Sequence, residues 1–285
     1  MNTITVKAYA KINLGLNVCG RYPNGYHEVK MIMQTVGIYD ELKVEKIPEG
    51  ILLTTDSGEL PADENNLVYK AAKLMKENYP IKEGVRIHLT KNIPIAAGMA
   101  GGSTDAAATL KAMNELFDLK IPREELMEKS VTIGADVPYC VLGGTALAEG
   151  IGEKLTVLPP APSCYVLVAK PDINVSTKYV YEHLDAEGVK HHPDIDGMRA
   201  SIEAGDLSGI ISRLENVLEV VTVPAHPVID LIKQRMLALG ADGSLMSGSG
   251  PTVFGLFTDK EKAEKAFEAA KAENLAKHLF LTTLI

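Results

Sequence analysis

From Thr3 to Val18 the chain alternates, with Ile12, Leu14, Leu16 and Val18 apolar and Lys11, Asn13, Gly15 and Asn17 between them. A period of two marks a strand with one apolar face, and it points Lys11 and Asn13 together, away from the core side. Pro23-Asn24-Gly25 is a turn signal, and a second strand is expected from Val29 to Val36. The period then changes. Leu67, Ala71, Leu74 and Met75 share one face of a helix running to Asn78, with Asn65 or Asn66 as its cap. Val85, Ile87 and Leu89 alternate in another strand, and Ala106, Leu110, Met113 and Phe117 form the apolar face of a further helix. Pro122 suits the first turn of the next helix, which is expected to stop at Gly134. The loop Ala135-Asp136-Val137-Pro138 is then expected to enter a strand from Cys140 to Ala148.

Pro159, Pro160 and Pro162 form the most linker-like stretch. Beyond it the pattern predicts a strand from Tyr165 to Ala169 and helices starting near Ser176, Asp206 and Ala225. A turn at 247–250, a strand from Thr252 to Phe257, a Lys/Glu/Ala-rich helix and a strand from Leu279 to Leu284 follow. Strands and helices mix in both halves, so an α+β architecture with two domains, 1–157 and 158–285, is expected.

Composition narrows the function. Of 285 residues, 46% are hydrophobic and 23% charged, the balance of a folded globular protein. Lys and Arg number 29 against 37 Asp and Glu, a net charge of −8, which argues against a nucleic-acid partner or an anionic membrane surface. Cys19, Cys140 and Cys164 are far apart with no Cys-x-x-Cys pair, so free thiols in a reducing compartment are expected. The first residues lack the apolar stretch of a signal peptide, no apolar run approaches the roughly 18 residues of a membrane helix, and a cytoplasmic location is expected.

The segment Pro94-Ile95-Ala96-Ala97-Gly98-Met99-Ala100-Gly101-Gly102-Ser103-Thr104 carries the strongest chemical signal. Small residues let backbone N–H groups approach an anion, and Ser103 or Thr104 opens a helix whose N-terminus attracts negative charge. It lacks the Gly-Lys-[Ser/Thr] of a Walker A loop and is not G-x-G-x-x-G. A capped helix after a flexible turn would read the same way. Three further segments are equally ordinary one by one. Gly248-Ser249-Gly250-Pro251-Thr252 reads as a hairpin turn, Ala10-Lys11-Ile12-Asn13-Leu14 as a solvent-facing strand, and Gly134-Ala135-Asp136-Val137-Pro138 as turn chemistry.

In this order, and joined by Gly25-Tyr26-His27, Glu64-Asn65-Asn66-Leu67 and Ala148-Glu149-Gly150-Ile151-Gly152-Glu153, they resemble the GHMP kinase superfamily across essentially the whole chain. Within it the pattern is similar to the branch that acts on diphosphocytidyl methylerythritol in the non-mevalonate isoprenoid route. The resemblance implies an N-terminal ATP domain of a type shared with ribosomal proteins and a C-terminal ferredoxin-like domain. It implies ATP and Mg²⁺ as cofactors, with no protein ligand of the metal named. Lys11 and Asp136 are the implied catalytic residues, Asp136 as base or as electrostatic anchor. Residues 94–104 are implied to cradle the triphosphate and Asn66 and Leu67 to border the adenine. Asn13, Tyr26, His27 and Tyr181 are implied on the substrate, His27 at the cytosine edge and the tyrosines stacked on the ring. The family loop usually runs Gly-Leu-Gly-Gly-Gly-Ser-Ser, whereas Gly98-Met99-Ala100-Gly101-Gly102-Ser103-Thr104 puts a methyl at Ala100, which matters if that position needs φ > 0. A kinase for another small alcohol and a non-catalytic nucleotide- or RNA-binding module are the alternatives. The Tyr26-His27 pair speaks against the first, the net charge and the Lys11/Asp136 pair against the second.

Overall fold

A computed structural model describes residues 1–185, 189 and 191–285. The first half contains β1 (Thr3–Arg21), β2 (His27–Ile47), β3 (Ile51–Thr55), α1 (Leu67–Asn78), β4 (Gly84–Thr90) and α2 (Gly101–Leu116). It continues with α3 (Arg123–Ser130), α4 (Val137–Leu142), β5 (Thr145–Gly150) and β6 (Lys154–Val157). Next come β7 (Tyr165–Lys170), α5 (Thr177–His183), α6 (Ile195–Glu203), α7 (Leu207–Ile211) and β8 (Glu215–Asn216). The chain closes with α8 (Glu219–Ala225), α9 (Val228–Ala238), β9 (Gly243–Met246), β10 (Val253–Phe257), α10 (Lys260–Ala272) and β11 (His278–Thr283). The architecture is α+β. Among the described residues no helix is long and apolar enough to cross a membrane.

Two compact units form. The first holds Met1–Ala10, Ile38–Ile95 and Ala100–Gly143. In it β4 pairs in parallel with β3 and antiparallel with β2, placing Leu42, Val44, Leu53, Ile87 and Leu89 on a buried face. Helices α1 and α2 supply Val68, Ala71, Met75, Ala106, Leu110 and Met113 to the same core. Asn66 is the α1 cap, its Oδ1 accepting from the Val68 amide at 2.9 Å.

The second unit holds Lys11–Gly37, Ala96–Met99 and Gly144–Ile285. Its four-stranded antiparallel sheet runs β11-β7-β10-β9, with every residue of β10 buried. Here β2 also pairs with β5, and β1 pairs in parallel with β8 at Gly15–Glu215 and Leu16–Asn216.

Three expectations are corrected. Residues 140–142 belong to α4 rather than to a strand, and β5 begins only at Thr145. Pro138 in the first turn presets helical φ, and Gly143 and Gly144, at φ 74° and 71°, stop the helix. The preceding helix ends at Ser130, four residues before Gly134. The pattern near Ala225 resolves into α8, ending there, and α9, starting at Val228 after Pro227. Helix α6, capped by the Asp194 carboxylate on the Gly197 amide, has no counterpart in the sequence reading.

Candidate active site

The polar face of β1 is covered. Lys11 is 5% exposed and Asn13 fully buried, although alternation alone puts them on the side away from the apolar core. Burial of an ammonium requires partners. The Lys11 Nζ donates to Asn13 Oδ1 at 2.7 Å, and Asn13 Nδ2 points at the Met31 sulfur at 3.2 Å. The Lys11 amide donates to the Met99 carbonyl at 3.2 Å, which ties the strand to the small-residue loop.

A second turn closes the same place. Ser247 Oγ donates to the Gly98 carbonyl at 3.0 Å and accepts from the Asn13 amide at 3.3 Å. A Cβ on Gly248 would lie 3.3 Å from the Gly98 oxygen, 3.4 Å from Asn13 Oδ1 and 3.6 Å from Lys11 Nζ. Lys11, Asn13, Gly98 and Gly248 therefore converge on one point. Asn216 holds the turn from behind, its Nδ2 donating to the Met246 and Gly248 carbonyls at 2.8 Å each.

The loop backbone has an unusual form. Ala96, Gly98 and Ala100 have φ of 50°, 70° and 57°, with ordinary residues between them. Ala100 is the left-handed residue from which α2 starts, so the methyl on this residue does sit at φ > 0. Gly101 and Gly102 form the first turn of α2, where a Cβ on Gly102 would meet Leu67 at 3.3 Å. Ser103 is half-buried, whereas Thr104 is buried with its hydroxyl donating to the Tyr9 carbonyl at 2.6 Å. Pro94 is buried, Ile95 half-buried and Ala97 buried along the loop. In the same unit Asn66 uses its side chain on the cap and on the Pro61 carbonyl at 2.8 Å.

Asp136 precedes α4 with φ −81° and ψ −13°, half-buried, and its carboxylate does not cap the helix. At the β1–β2 turn Tyr26 is 59% exposed, and the His27 and Tyr181 rings lie 5.2 Å apart, tilted by 40°. Burial, helped by the Arg21 charge, lowers the His27 pKa below its ordinary 6.5, so the imidazole is neutral at pH 7. Ser247, Gly248 and Asn216 are given no individual site role by the sequence. The first two lie in or beside the turn already singled out, while Asn216 carries no local signal.

Comparison with known proteins shows the family. The model of the GHMP kinases N terminal domain matches residues 66–144, and that of the GHMP kinases C terminal domain matches 198–276. The 4-diphosphocytidyl-2-C-methyl-D-erythritol kinase of Lachnospira eligens is 55% identical over 99% of this chain and 98% of its own length. That of Lachnoclostridium phytofermentans is 53% identical over 99% and 97%. A crystal structure of 4-(cytidine 5'-diphospho)-2C-methyl-D-erythritol kinase superposes with a TM-score of 0.84 at 34% identity, covering 99% of each chain. The fold is that of a GHMP kinase. Within that superfamily, identity along almost the full length shows that the chain belongs to the 4-diphosphocytidyl-2-C-methyl-D-erythritol kinase family.

Proposed function

We propose that this enzyme transfers the γ-phosphoryl group of ATP to the 2-hydroxyl of the erythritol moiety of 4-diphosphocytidyl-2-C-methyl-D-erythritol, a step of non-mevalonate isoprenoid precursor synthesis. The observation that carries the reading is the convergence of a buried ammonium, Lys11, with Gly98 of the small-residue loop and the side-chain-free Gly248. A positioned ammonium beside the phosphate loop is what a transferring phosphoryl group requires.

Phosphoryl transfer passes through a loose transition state, so positioning and charge stabilisation do most of the work. Residues 94–104 hold the triphosphate on backbone N–H groups, with Ser103 and Thr104 at the helix start. Lys11 orients the alcohol, and Asp136 takes the hydroxyl proton. A weak base suffices because proton loss comes late in a loose transition state. Asn13 fixes the Lys11 head and faces the substrate. Asn66 and Leu67 border the adenine. Neutral His27 hydrogen-bonds the cytosine edge while Tyr26 and Tyr181 stack on the ring. Mg²⁺, when bound, would neutralise charge on the phosphate oxygens.

The functional division at 157/158 is part of this proposal, supported by one family model in each half. So are a cytoplasmic setting, supported by three free thiols, and the absence of a nucleic-acid partner, supported by the net charge of −8. The test is a panel of alcohols with ATP: diphosphocytidyl methylerythritol, homoserine and mevalonate. Turnover confined to the first supports the reading, and preference for either of the others overturns it.

A further inference from the structure

We propose that Asp40, Lys91 and Asp105 are positioning residues for the phosphate loop, a single buried charge cluster that grips both ends of the 94–100 turn. The three side chains are 0%, 8% and 2% exposed. Lys91, the residue after β4, donates its ammonium to Asp105 Oδ2 at 2.8 Å and also to Asp40 Oδ2. The other Asp40 oxygen, Oδ1, accepts from the Asn92 amide at 2.6 Å and the Ile93 amide at 2.8 Å, the two N–H groups directly before Pro94. The entry to the turn is thereby fixed. Asp105 lies on α2, five residues beyond Ala100, so the exit is fixed by the same ammonium. Gly101 closes the join, since a Cβ there would stand 3.2 Å from Ile93 Cγ2 and 3.4 Å from Lys91 Nζ.

Two carboxylates share one ammonium, and the proton balance follows from that. Burial raises the Asp105 pKa, the Lys91 charge opposes the rise, and Asp40 adds to it, leaving Asp105 at about 8. Its buried Oδ1 has no hydrogen-bond partner, which costs less for a neutral acid than for a carboxylate. Burial pulls Lys91 down, but Asp105 and Asp40 outweigh it and its pKa is raised. No other charge reaches Asp105 from its neighbours. On α1, Lys70, Lys73 and Glu77 are exposed and Lys76 half-buried. Residues 137–142 of α4 carry no Asp, Glu, Lys, Arg or His. Glu41 and Lys43 of β2, Arg86 and His88 of β4, and Lys111 and Glu115 of α2 itself face solvent. Below about pH 8 the cluster is electrically neutral, with one acid protonated. Above it, a buried negative charge stands near the start of the helix whose N-terminus faces the triphosphate.

The inference rests on the triphosphate site proposed above, and ATP binding tests it without the second substrate. Calorimetric Kd values for ATP are measured from about pH 6.5 to 9 on the wild type and on Asp105→Asn, which keeps shape and stays neutral. Expected for the wild type is a Kd that weakens roughly fivefold or more as pH passes about 8, the size of an ordinary coupling between sites. Asp105→Asn should show a flat profile at the tight value. Lys91→Met, checked for folding by circular dichroism, should weaken ATP about tenfold while leaving KM for the alcohol unchanged. The same pH profile in Asp105→Asn as in the wild type overturns the proposal, even if Lys91→Met does not fold. Kinase activity absent with every alcohol, alongside the expected Kd profiles, would overturn the functional reading and leave the positioning role standing.

Discussion

Ser247 donates its hydroxyl to the Gly98 carbonyl at 3.0 Å, and Gly98 has no room for a side chain, since a Cβ there would stand 2.3 Å from the Ser247 carbonyl oxygen. Two turns 149 residues apart in sequence pack tightly, with a side-chain-to-backbone hydrogen bond, at the point where Lys11 arrives. The fit needs glycine for two separate reasons, φ of 70° and the lack of space.

Gly98→Ala should therefore be severe. The left-handed conformation costs an alanine roughly 1–2 kcal/mol, and the clash with backbone adds to it. The expected outcome is a fall of at least about tenfold in kcat/KM for ATP with a protein that still folds. Steady-state kinetics beside a urea titration would show it, and an unchanged kcat/KM would contradict the interlock.

Ala100→Gly should act in the other direction. Ala100 carries its methyl at φ 57°, and glycine relieves about 1–2 kcal/mol of backbone strain against roughly 0.5–1 kcal/mol of added unfolded-state entropy. A net gain of about 0.5–1 kcal/mol is expected, read as a higher urea midpoint at constant slope. A lower midpoint would show that the methyl contributes packing.

Asp136→Asn should leave ATP binding nearly intact and lower kcat by a factor on the order of 10² or more. Lys11→Ala should be comparably damaging, and Lys11→Arg should rescue little. A planar fork cannot replace a compact ammonium that is held on Asn13 Oδ1 at 2.7 Å with almost no exposure. Near-normal turnover by Asp136→Asn would remove it from the mechanism.

Tyr26→Ala should raise KM for the cytidine substrate roughly 5- to 150-fold, from a stacking loss of about 1–3 kcal/mol, with KM for ATP unmoved. His27→Ala should act on the same KM and relax discrimination against a uridine analogue. His27 has its pKa lowered by burial and Arg21, so it binds its proton only as pH falls below the ordinary 6.5. KM for the cytidine substrate is accordingly expected to stay flat from pH 8 down to about 6.5 and to rise below that. A change confined to the ATP parameters would mean that the two nucleotide pockets are exchanged.

Much of this was legible in the sequence where periodicity and capping agree. Helix α1 has both its apolar stripe and its Asn66 cap, and β4 alternates cleanly with Val85, Ile87 and Leu89 buried. Helix α4 was not, because its six residues are too few to display a 3.6-residue period and two of them are valines, which favour strands. Alternation along β1 placed Lys11 and Asn13 on one face, but their burial depends on Gly98 and Ser247, far away in sequence. The Asp40–Lys91–Asp105 cluster joins residues 51 and 14 positions apart, and no local pattern announces it. The phosphate loop itself stood out because small residues and a helix start coincide within a single segment.

Transfer of phosphate to one hydroxyl of one substrate can be followed directly. The protein is incubated with ATP, Mg²⁺ and 4-diphosphocytidyl-2-C-methyl-D-erythritol, and the product is followed by ³¹P NMR. Expected is a new phosphomonoester resonance, coupled to the carbon bearing the 2-hydroxyl, that grows in step with ADP while the diphosphate signals of the substrate persist. ADP formation with no new monoester, or a monoester on another hydroxyl, would contradict it.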